Sequence, residues 1–351
     1  MRSARSKNGV PDLDNLAQSV LSARGEYRPT LLAALTDLFV LRDNPDGAEI
    51  NNYEELALHL IPDADPGTRA HVAARLARHP FAPCSVIDAL LDSDRVSATI
   101  LIEHSKRIPL DTLMNMAESG TREEAIVLAR RSAIEPDLVR RLAEREDDDV
   151  LCALAANLDA RFEPRTLARL IDRARRCDEL ARLLCRRIDD TRLITPLFLQ
   201  ASPMQRSEIL HDAEFSDFTA AQLQRVEIAG EMVMDWIIER GKKGLWGLVA
   251  QEITRLTGFD RTTVDRMIAD SFSKGGTQAS PMLQGQPRYE GLGDGLAVLL
   301  AAIGCPVEKA IRLFLTCPPP ISHSYDRVCA LARIVERMPA HAAHKLVHAI
   351  A

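Results

Sequence analysis

Arginines recur along one stretch of the chain at a spacing that places them on a single face of a helix. They occupy positions i, i+4, i+8 and i+11, with one more arginine just before, and we call this set the arginine stripe: Arg161, Arg165, Arg169, Arg173 and Arg176. The opposite face is apolar and carries Leu167, Leu170, Ile171 and Ala174. Guanidinium groups bind carboxylates and phosphates through paired hydrogen bonds. The stripe is therefore a candidate anion- or partner-binding surface.

A competing interpretation of the stripe is a solvated helix face whose arginines form salt bridges with neighbouring repeats. The segment from Arg161 to Arg187 contains nine arginines and four acidic residues, so it carries an excess of positive charge. An acidic helix, a phosphate or a nucleotide would each suit that excess. The sequence leaves both interpretations open.

No other group of residues has the spacing that catalysis requires. The nucleophile motif G-x-S-x-G and the zinc motif H-E-x-x-H are missing from the sequence. His341, His344 and His348 share one face of the last predicted helix, but no cysteine or carboxylate lies among them, so we predict no metal site. We expect no catalytic residues, no cofactor and no enzymatic activity.

The segment GLGDG at Gly291 to Gly295 has a weak likeness to a phosphate-binding loop. No strand precedes it, and the third glycine of a dinucleotide fingerprint is missing. We interpret it as a turn followed by a helix that Asp294 caps.

A 26-residue repeat between Val72 and Leu158 predicts the helices from which the chain is built. Val72, Ala98, Glu124 and Val150 lie 26 residues apart, and each begins an i, i+1, i+4, i+5 pattern of mostly apolar or small residues. A second such pattern follows within each unit. Each unit is therefore two short helices joined by a turn, and units of this kind stack to bury their apolar stripes. The repeat predicts an all-α, HEAT-like helical-repeat solenoid.

The repeat loosens after Leu158, and from about residue 216 the helical patterns no longer recur at a fixed interval. We expect a disordered arm at residues 1–10, the solenoid at 11–215 and a C-terminal all-helical subdomain at 216–351. A Gly- and Gln-rich segment at 274–293 predicts a mobile loop within that subdomain.

Composition limits the classes of partner. The net charge of −6 and the isoelectric point near 5.9 make nucleic acid an unlikely partner for the whole protein. Seven scattered cysteines without a C-x-x-C pair are typical of reduced thiols in the cytoplasm. We recognise no signal peptide, and the longest apolar run, Leu296 to Ile303, is too short to cross a membrane, so no membrane partner is expected.

Three blocks of sequence resemble a bacterial family known as domain of unknown function 2336. They are LARHPFAPCSVIDALL at Leu76–Leu91, LARRSAIEPDLVRRLA at Leu128–Ala143, and the region from Ile253 to Leu315, which contains ITRLTGFDRTTVDRMIAD and GDGLAVLLAAIGCPVEKAIRLFL. The resemblance implies an all-helical, repeat-type fold. It implies no reaction and no catalytic residues.

These observations favour a non-catalytic helical-repeat scaffold or regulator in the bacterial cytoplasm, which binds an unknown protein or peptide. The alternative is a binding module for a phosphorylated small molecule or nucleic acid that uses the arginine-rich helix face. The sequence does not identify the partner or the oligomeric state.

Overall fold

The computed structural model describes residues 28–214, 230–272 and 291–351. Within these ranges the chain forms helices and turns without a strand, which confirms the predicted all-α class. The predicted arm at 1–10 and the predicted boundary at 215–216 lie outside the described residues. Of the loop predicted at 274–293, only Gly291–Gly293 are described, and they form a buried turn. Among the described helices, none combines the length and hydropathy needed to cross a membrane.

The chain divides into two compact units between Leu167 and Ala168. Helices of the first unit are α1 Arg28–Val40, α2 Gly47–Leu60, α3 Pro66–Leu76, α4 Cys84–Ser93, α5 Arg95–His104, α6 Leu110–Ser119, α7 Arg122–Ala129, α8 Pro136–Ala143 and α9 Asp148–Ala156. A 3₁₀ helix, Ile61–Asp63, follows α2, and helix α10, Pro164–Ala174, contains the division between the units.

Alternate helices of the first unit pack on one another and form two rows. In one row α3 packs on α1 and α5, and α7 packs on α5 and α9; in the other, α2 packs on α4, and α6 packs on α8. Neighbours in sequence also pack together, for example α4 on α5 and α6 on α7. This arrangement buries most of the apolar positions that the repeat predicts, with Val72, Leu128 and Leu154 fully inaccessible to solvent.

The second repeat departs slightly from the predicted pattern of burial. Helix α5 buries Ser97, Leu101 and Ile102, whereas the expected Ala98 and Thr99 are half-buried. The Ser97 amide and hydroxyl donate hydrogen bonds to Asp94, the N-cap, at 3.0 and 2.9 Å. Because its polar groups are satisfied locally, Ser97 can occupy a buried position.

Polar side chains connect successive repeats of the first unit. Nη1 of the buried Arg131 donates to the carbonyl of Ile102, near the end of α5, at 2.7 Å. Nδ2 of Asn157 donates to the carbonyls of Ala129 and Arg131 one repeat earlier, each at 2.8 Å. The last carbonyls of a helix have no partner within the helix, so these side chains satisfy them while fixing one repeat on the next.

Helices of the second unit are α11 Asp178–Arg187, α12 Thr191–Ile194, α13 Pro203–Glu214, α14 Glu231–Lys242, α15 Trp246–Thr257, α16 Arg261–Ala269, α17 Asp294–Ala302, α18 Val307–Phe314, α19 Pro319–Ser322, α20 Tyr325–Arg337 and α21 Ala340–Ile350. A 3₁₀ helix, Thr195–Gln200, follows α12. All nine residues of α17 are buried, and α16, α20 and α21 pack around it. Helix α17 is therefore the core element of this unit.

Candidate arginine-lined binding site

Three residues of the arginine stripe, Arg165, Arg169 and Arg173, lie on α10, on the side opposite its buried residues. Leu170, Ile171 and Ala174 are buried. Arg165 and Arg169 are exposed and Arg173 is half-buried, while Arg161, just before the helix, is exposed. The amphipathic pattern of α10 was therefore predicted correctly.

Arg176 does not belong to the same helix as the rest of the stripe. Helix α10 ends at Ala174, and the Arg176 amide donates to the Arg173 carbonyl at 3.0 Å, which closes a tight turn. The prediction of one helix extending to Arg176 was wrong, because this turn redirects the chain into α11. Arg175 and Arg176 thus lie in the connection between α10 and α11.

That connection contributes to a cavity of about 550 Å³ in the second unit. The cavity is lined by residues from the end of α10, the start of α11, the first two turns of α16 and the end of α21, and we call it the arginine pocket: Asp172, Arg175, Arg176, Asp178, Thr262, Thr263, Arg266 and Ala351. Arg176 is the one residue of the arginine stripe that lines the arginine pocket. Its volume lies within the range of small-ligand sites.

The start of α16 is fixed by its own cap. Asp260 precedes the helix, and its carboxylate accepts hydrogen bonds from the Thr263 amide, at 3.1 Å, and from the Thr262 hydroxyl. These hydrogen bonds hold the pKa of the Asp260 carboxyl below its usual value, because they stabilise the charged form. Arg266 lies one turn later, on the helix whose start this cap fixes.

A buried aromatic ring fixes the loop before α16 against α21. Phe259 is 4 % exposed, and its ring centroid lies 4.7 Å from that of His344 and 5.2 Å from that of His348. Gly258, at φ +69°, makes the left-handed turn that ends α15 and delivers Phe259 to this position. The contact holds α16 and α21 in a defined relation at the edge of the arginine pocket.

Arg175 links the pocket to the last turn of α21. Its Nη2 donates to the Ala349 carbonyl at 3.2 Å, so a cation lies where the helix has unpaired carbonyls. Its Nε is inaccessible to solvent and has no hydrogen-bond partner. A buried N–H group without a partner is costly, so the packing of α21 against this turn must offset that cost.

Within the described residues, neither Arg176 nor Arg266 has a side-chain ion pair or hydrogen bond. Arg266 is half-buried and Arg176 is exposed. Two carboxylates share the pocket. Both are exposed, and Asp178 also accepts from Gln200 Nε2 at 2.8 Å and occupies the first turn of α11, where the helix dipole offsets its charge. The available donors are therefore guanidinium groups, and they suit an anion.

Sequence reasoning missed Arg266, Thr262 and Thr263. They lie far along the chain from the stripe, and no local pattern distinguishes Arg266 from any other arginine on a helix. Arg175 and the two aspartates were visible within the arginine-rich segment, but their convergence with α16 is a property of the tertiary fold.

The GLGDG segment is a buried turn, but its capping residue was predicted wrongly. The N-cap of α17 is Gly293, at φ +85°, and Asp294 is the first helical residue. The Asp294 carboxylate pairs with Arg327, which also donates from Nε to the Leu292 carbonyl at 2.7 Å. Burial raises the pKa of the Asp294 carboxyl, and Arg327 opposes that shift. The segment thus anchors α17 in the core of the second unit.

Histidines on α21 were the other group considered for metal binding. His344 Nε2 lies 3.1 Å from the Ala302 carbonyl, at the end of α17. In the part of the chain that the structure describes, no three His, Cys, Asp or Glu side chains are grouped to hold a metal ion.

Comparison with known families gives one match. Residues 98–236 match the model of a family described as an uncharacterised protein conserved in bacteria, DUF2336. The match confirms the resemblance noted in the sequence and includes the block at Leu128–Ala143, whereas the blocks at Leu76–Leu91 and Ile253–Leu315 lie outside it. No curated protein and no solved structure matches the chain.

The matched region covers the turn that carries Arg175 and Arg176 but not α16. The matched residues therefore supply one side of the arginine pocket, and Thr262, Thr263 and Arg266 come from outside them.

Proposed function

We propose that this DUF2336 protein is a non-catalytic, HEAT-like helical-repeat scaffold or regulator of the bacterial cytoplasm, and that it binds an acidic segment of a partner protein at the arginine pocket. The observation that carries the proposal is the convergence of Arg175 and Arg176 with Arg266, from a distant helix, on one cavity. Guanidinium groups left without protein partners are suited to receive carboxylates or phosphates from another molecule.

The two rows of packed helices in the first unit support the repeat interpretation. Stacked helix pairs in which each repeat contacts its neighbours present extended surfaces, and proteins built in this way commonly use those surfaces for binding. Nucleic acid is the less favoured partner, because it requires cations along many successive phosphates and the whole chain carries a net charge of −6.

The test uses the full chain with an N-terminal affinity tag, so that Ala351 keeps its place at the pocket. Bait proteins are the wild type, the double variant Arg176→Gln/Arg266→Gln, and the matched control Arg182→Gln/Arg186→Gln, which removes two exposed arginines of α11 outside the pocket. Proteins captured from a lysate of the source bacterium are quantified by mass spectrometry. Circular dichroism checks that all three baits are equally helical.

We expect a partner that the wild type and the control retain and the pocket variant loses. Capture should also weaken as salt rises from 0.05 to roughly 0.5 M, since salt screens exposed charges. A set of captured proteins that is the same for all three baits would show that the arginine pocket is not the binding site, and the proposal would be wrong.

A further inference from the structure

We infer that the group bound in the arginine pocket is a phosphate monoester, carried by a phosphorylated side chain of the partner. This inference rests on the proposed function and narrows it, because an acidic segment can offer either carboxylates or phosphates. Three features of the pocket favour phosphate: the number of guanidinium donors, the local compensation of the two aspartates, and the volume of the site.

The number of donors exceeds what one carboxylate can accept. Arg176 and Arg266 both lack protein partners among the described residues, and Arg175 lines the same cavity. A guanidinium group has five N–H donors, and a single arginine already satisfies both oxygens of a carboxylate through a bidentate pair. A phosphate monoester has three terminal oxygens and a charge of about −1.5 to −2, so it can engage all three arginines together.

The two aspartates of the pocket do not cancel this preference. The Asp178 carboxylate is held by Gln200 and by the N-terminus of α11, and the Asp172 side chain is open to solvent, which screens it. Three arginines and two aspartates give the side chains that line the pocket a net charge of +1, which suits a single phosphate rather than a polyphosphate.

The volume of the pocket is also larger than the volume of a bare phosphate ion. A volume of about 550 Å³ accommodates the phosphate together with the residue that carries it and its neighbours in the chain. Thr262 and Thr263, on the first turn of α16, form the wall beside Arg266. Because the Thr262 hydroxyl donates to Asp260, its oxygen is left as an acceptor for the ligand's backbone or hydroxyl groups.

Isothermal titration of the full chain, with an N-terminal tag, tests the inference. The probes are a five-residue peptide with a central phosphoserine, the same peptide with serine or glutamate at that position, and free O-phosphoserine. The proteins are the wild type, Arg266→Gln, Arg266→Lys and the control Arg182→Gln. Gel filtration and circular dichroism establish that each variant is folded.

We expect the phosphoserine peptide to bind at least about tenfold more tightly than the glutamate peptide, and the serine peptide not to bind. Arg266→Gln should weaken the phosphopeptide at least about tenfold, Arg266→Lys should recover part of the loss, and Arg182→Gln should stay within about twofold. Binding that also weakens with added salt would agree with these results.

Other outcomes separate the inference from the proposed function. Equal affinity for the glutamate and phosphoserine peptides would overturn the phosphate inference and leave an acidic partner in place. Binding of free O-phosphoserine at the strength of the peptide would support the phosphate inference but identify a small phosphorylated molecule as the ligand, contrary to the proposed protein partner. No binding by any acidic probe, or binding that Arg266→Gln does not change, would overturn both.

Discussion

Arg206 and Asp270 form a bidentate ion pair inside the second unit. Nη1 of Arg206 lies 3.1 Å from each carboxylate oxygen of Asp270, and Nη2 lies 3.1 Å from Oδ1. Both side chains are about 10 % exposed. Arg206 Nη1 also donates to the Gly291 carbonyl at 2.6 Å, and Asp270 accepts from the Gly293 amide at 3.2 Å. The pair therefore holds the turn from which the core helix α17 begins.

Replacement of Arg206 by Met should strongly destabilise the second unit. Breaking a buried pair from one side leaves an uncompensated charge, which costs about 3–5 kcal/mol in the free energy of unfolding. Urea denaturation followed by circular dichroism measures this loss. The matched change Arg182→Met, at an exposed pair with Glu179, should cost about 0–1 kcal/mol.

The double variant Arg206→Met/Asp270→Leu should recover part of that stability, because neither charge is then left alone in the interior. If Arg206→Met were no more destabilising than Arg182→Met, the pair would not anchor the turn.

A second prediction concerns the close contact between α17 and α16 at Gly295. A Cβ atom at this position would lie 2.7 Å from the Met267 carbonyl oxygen, a backbone atom that cannot turn aside. Gly295→Ala should therefore lower the free energy of unfolding by about 1–3 kcal/mol, as for other overpacked positions. Gly247, in the first turn of α15, has open space around its Cα, so Gly247→Ala is the matched control and should be neutral or slightly stabilising. Equal melting temperatures for the two variants would contradict this packing.

Helices could be predicted well because their signals are local. In the second unit, the sequence pattern predicts helices at Val307–Leu315 and Pro339–Ile350, and the structure has them at Val307–Phe314 and Ala340–Ile350. The helical period of the apolar residues and the prolines that flank them were sufficient to predict both helices. By contrast, the sequence pattern predicts a turn at Arg42–Gly47 and a helix only from Tyr53. Helix α2 begins at Gly47 instead, because Asp46 and Glu49 form a capping box. The D-x-x-E spacing was a usable signal for that helix start.

The candidate site could be predicted only in part. The arginine-rich segment was visible in the sequence, and so was the solvent side of α10. The residues that join Arg176 in the pocket could not be recognised in the sequence, because Arg266 reaches the cavity through the packing of α16 against its neighbours. The role of Arg206 was equally hidden, since a single arginine in the polar segment PMQRSEIL does not show that its side chain will be buried. Long-range contacts of this kind leave no periodic pattern in the chain.

A third prediction tests the buried face of the first unit. Leu128 is inaccessible to solvent on α7, in the middle of the repeats, so Leu128→Asp places an unpaired charge in the core. The expected loss is several kcal/mol, roughly 3–5, which can unfold the unit. Leu128→Ala should cost about 2–5 kcal/mol and serves as a measurable variant if the aspartate form does not fold.

The change Arg130→Asp, at an exposed position at the end of the same helix, should leave the melting temperature almost unchanged. A similar melting temperature for Leu128→Asp would mean that the inward face of α7 is assigned wrongly.

A fourth prediction follows from the environment of His344 and concerns the pH dependence of stability. Burial lowers the pKa of His344 below its usual value of 6.5, and the nearby His348 adds to the shift, whereas the contact with the Ala302 carbonyl opposes it. The folded state therefore favours the neutral imidazole more than the unfolded chain does. A group with a lowered folded pKa stabilises the protein above its unfolded pKa, and that contribution is lost as the pH falls from about 6.5 through the folded value.

His344→Gln keeps a side-chain N–H that can donate to Ala302 but does not titrate, so it should lose less stability than the wild type between pH 7.5 and 5. Urea denaturation at both values measures the difference, and His323→Gln, at an exposed position of the second unit, is the matched control. If His344→Gln and the wild type lost equal stability over this range, His344 would not contribute to the pH dependence, and its ring would titrate as it does in the unfolded chain.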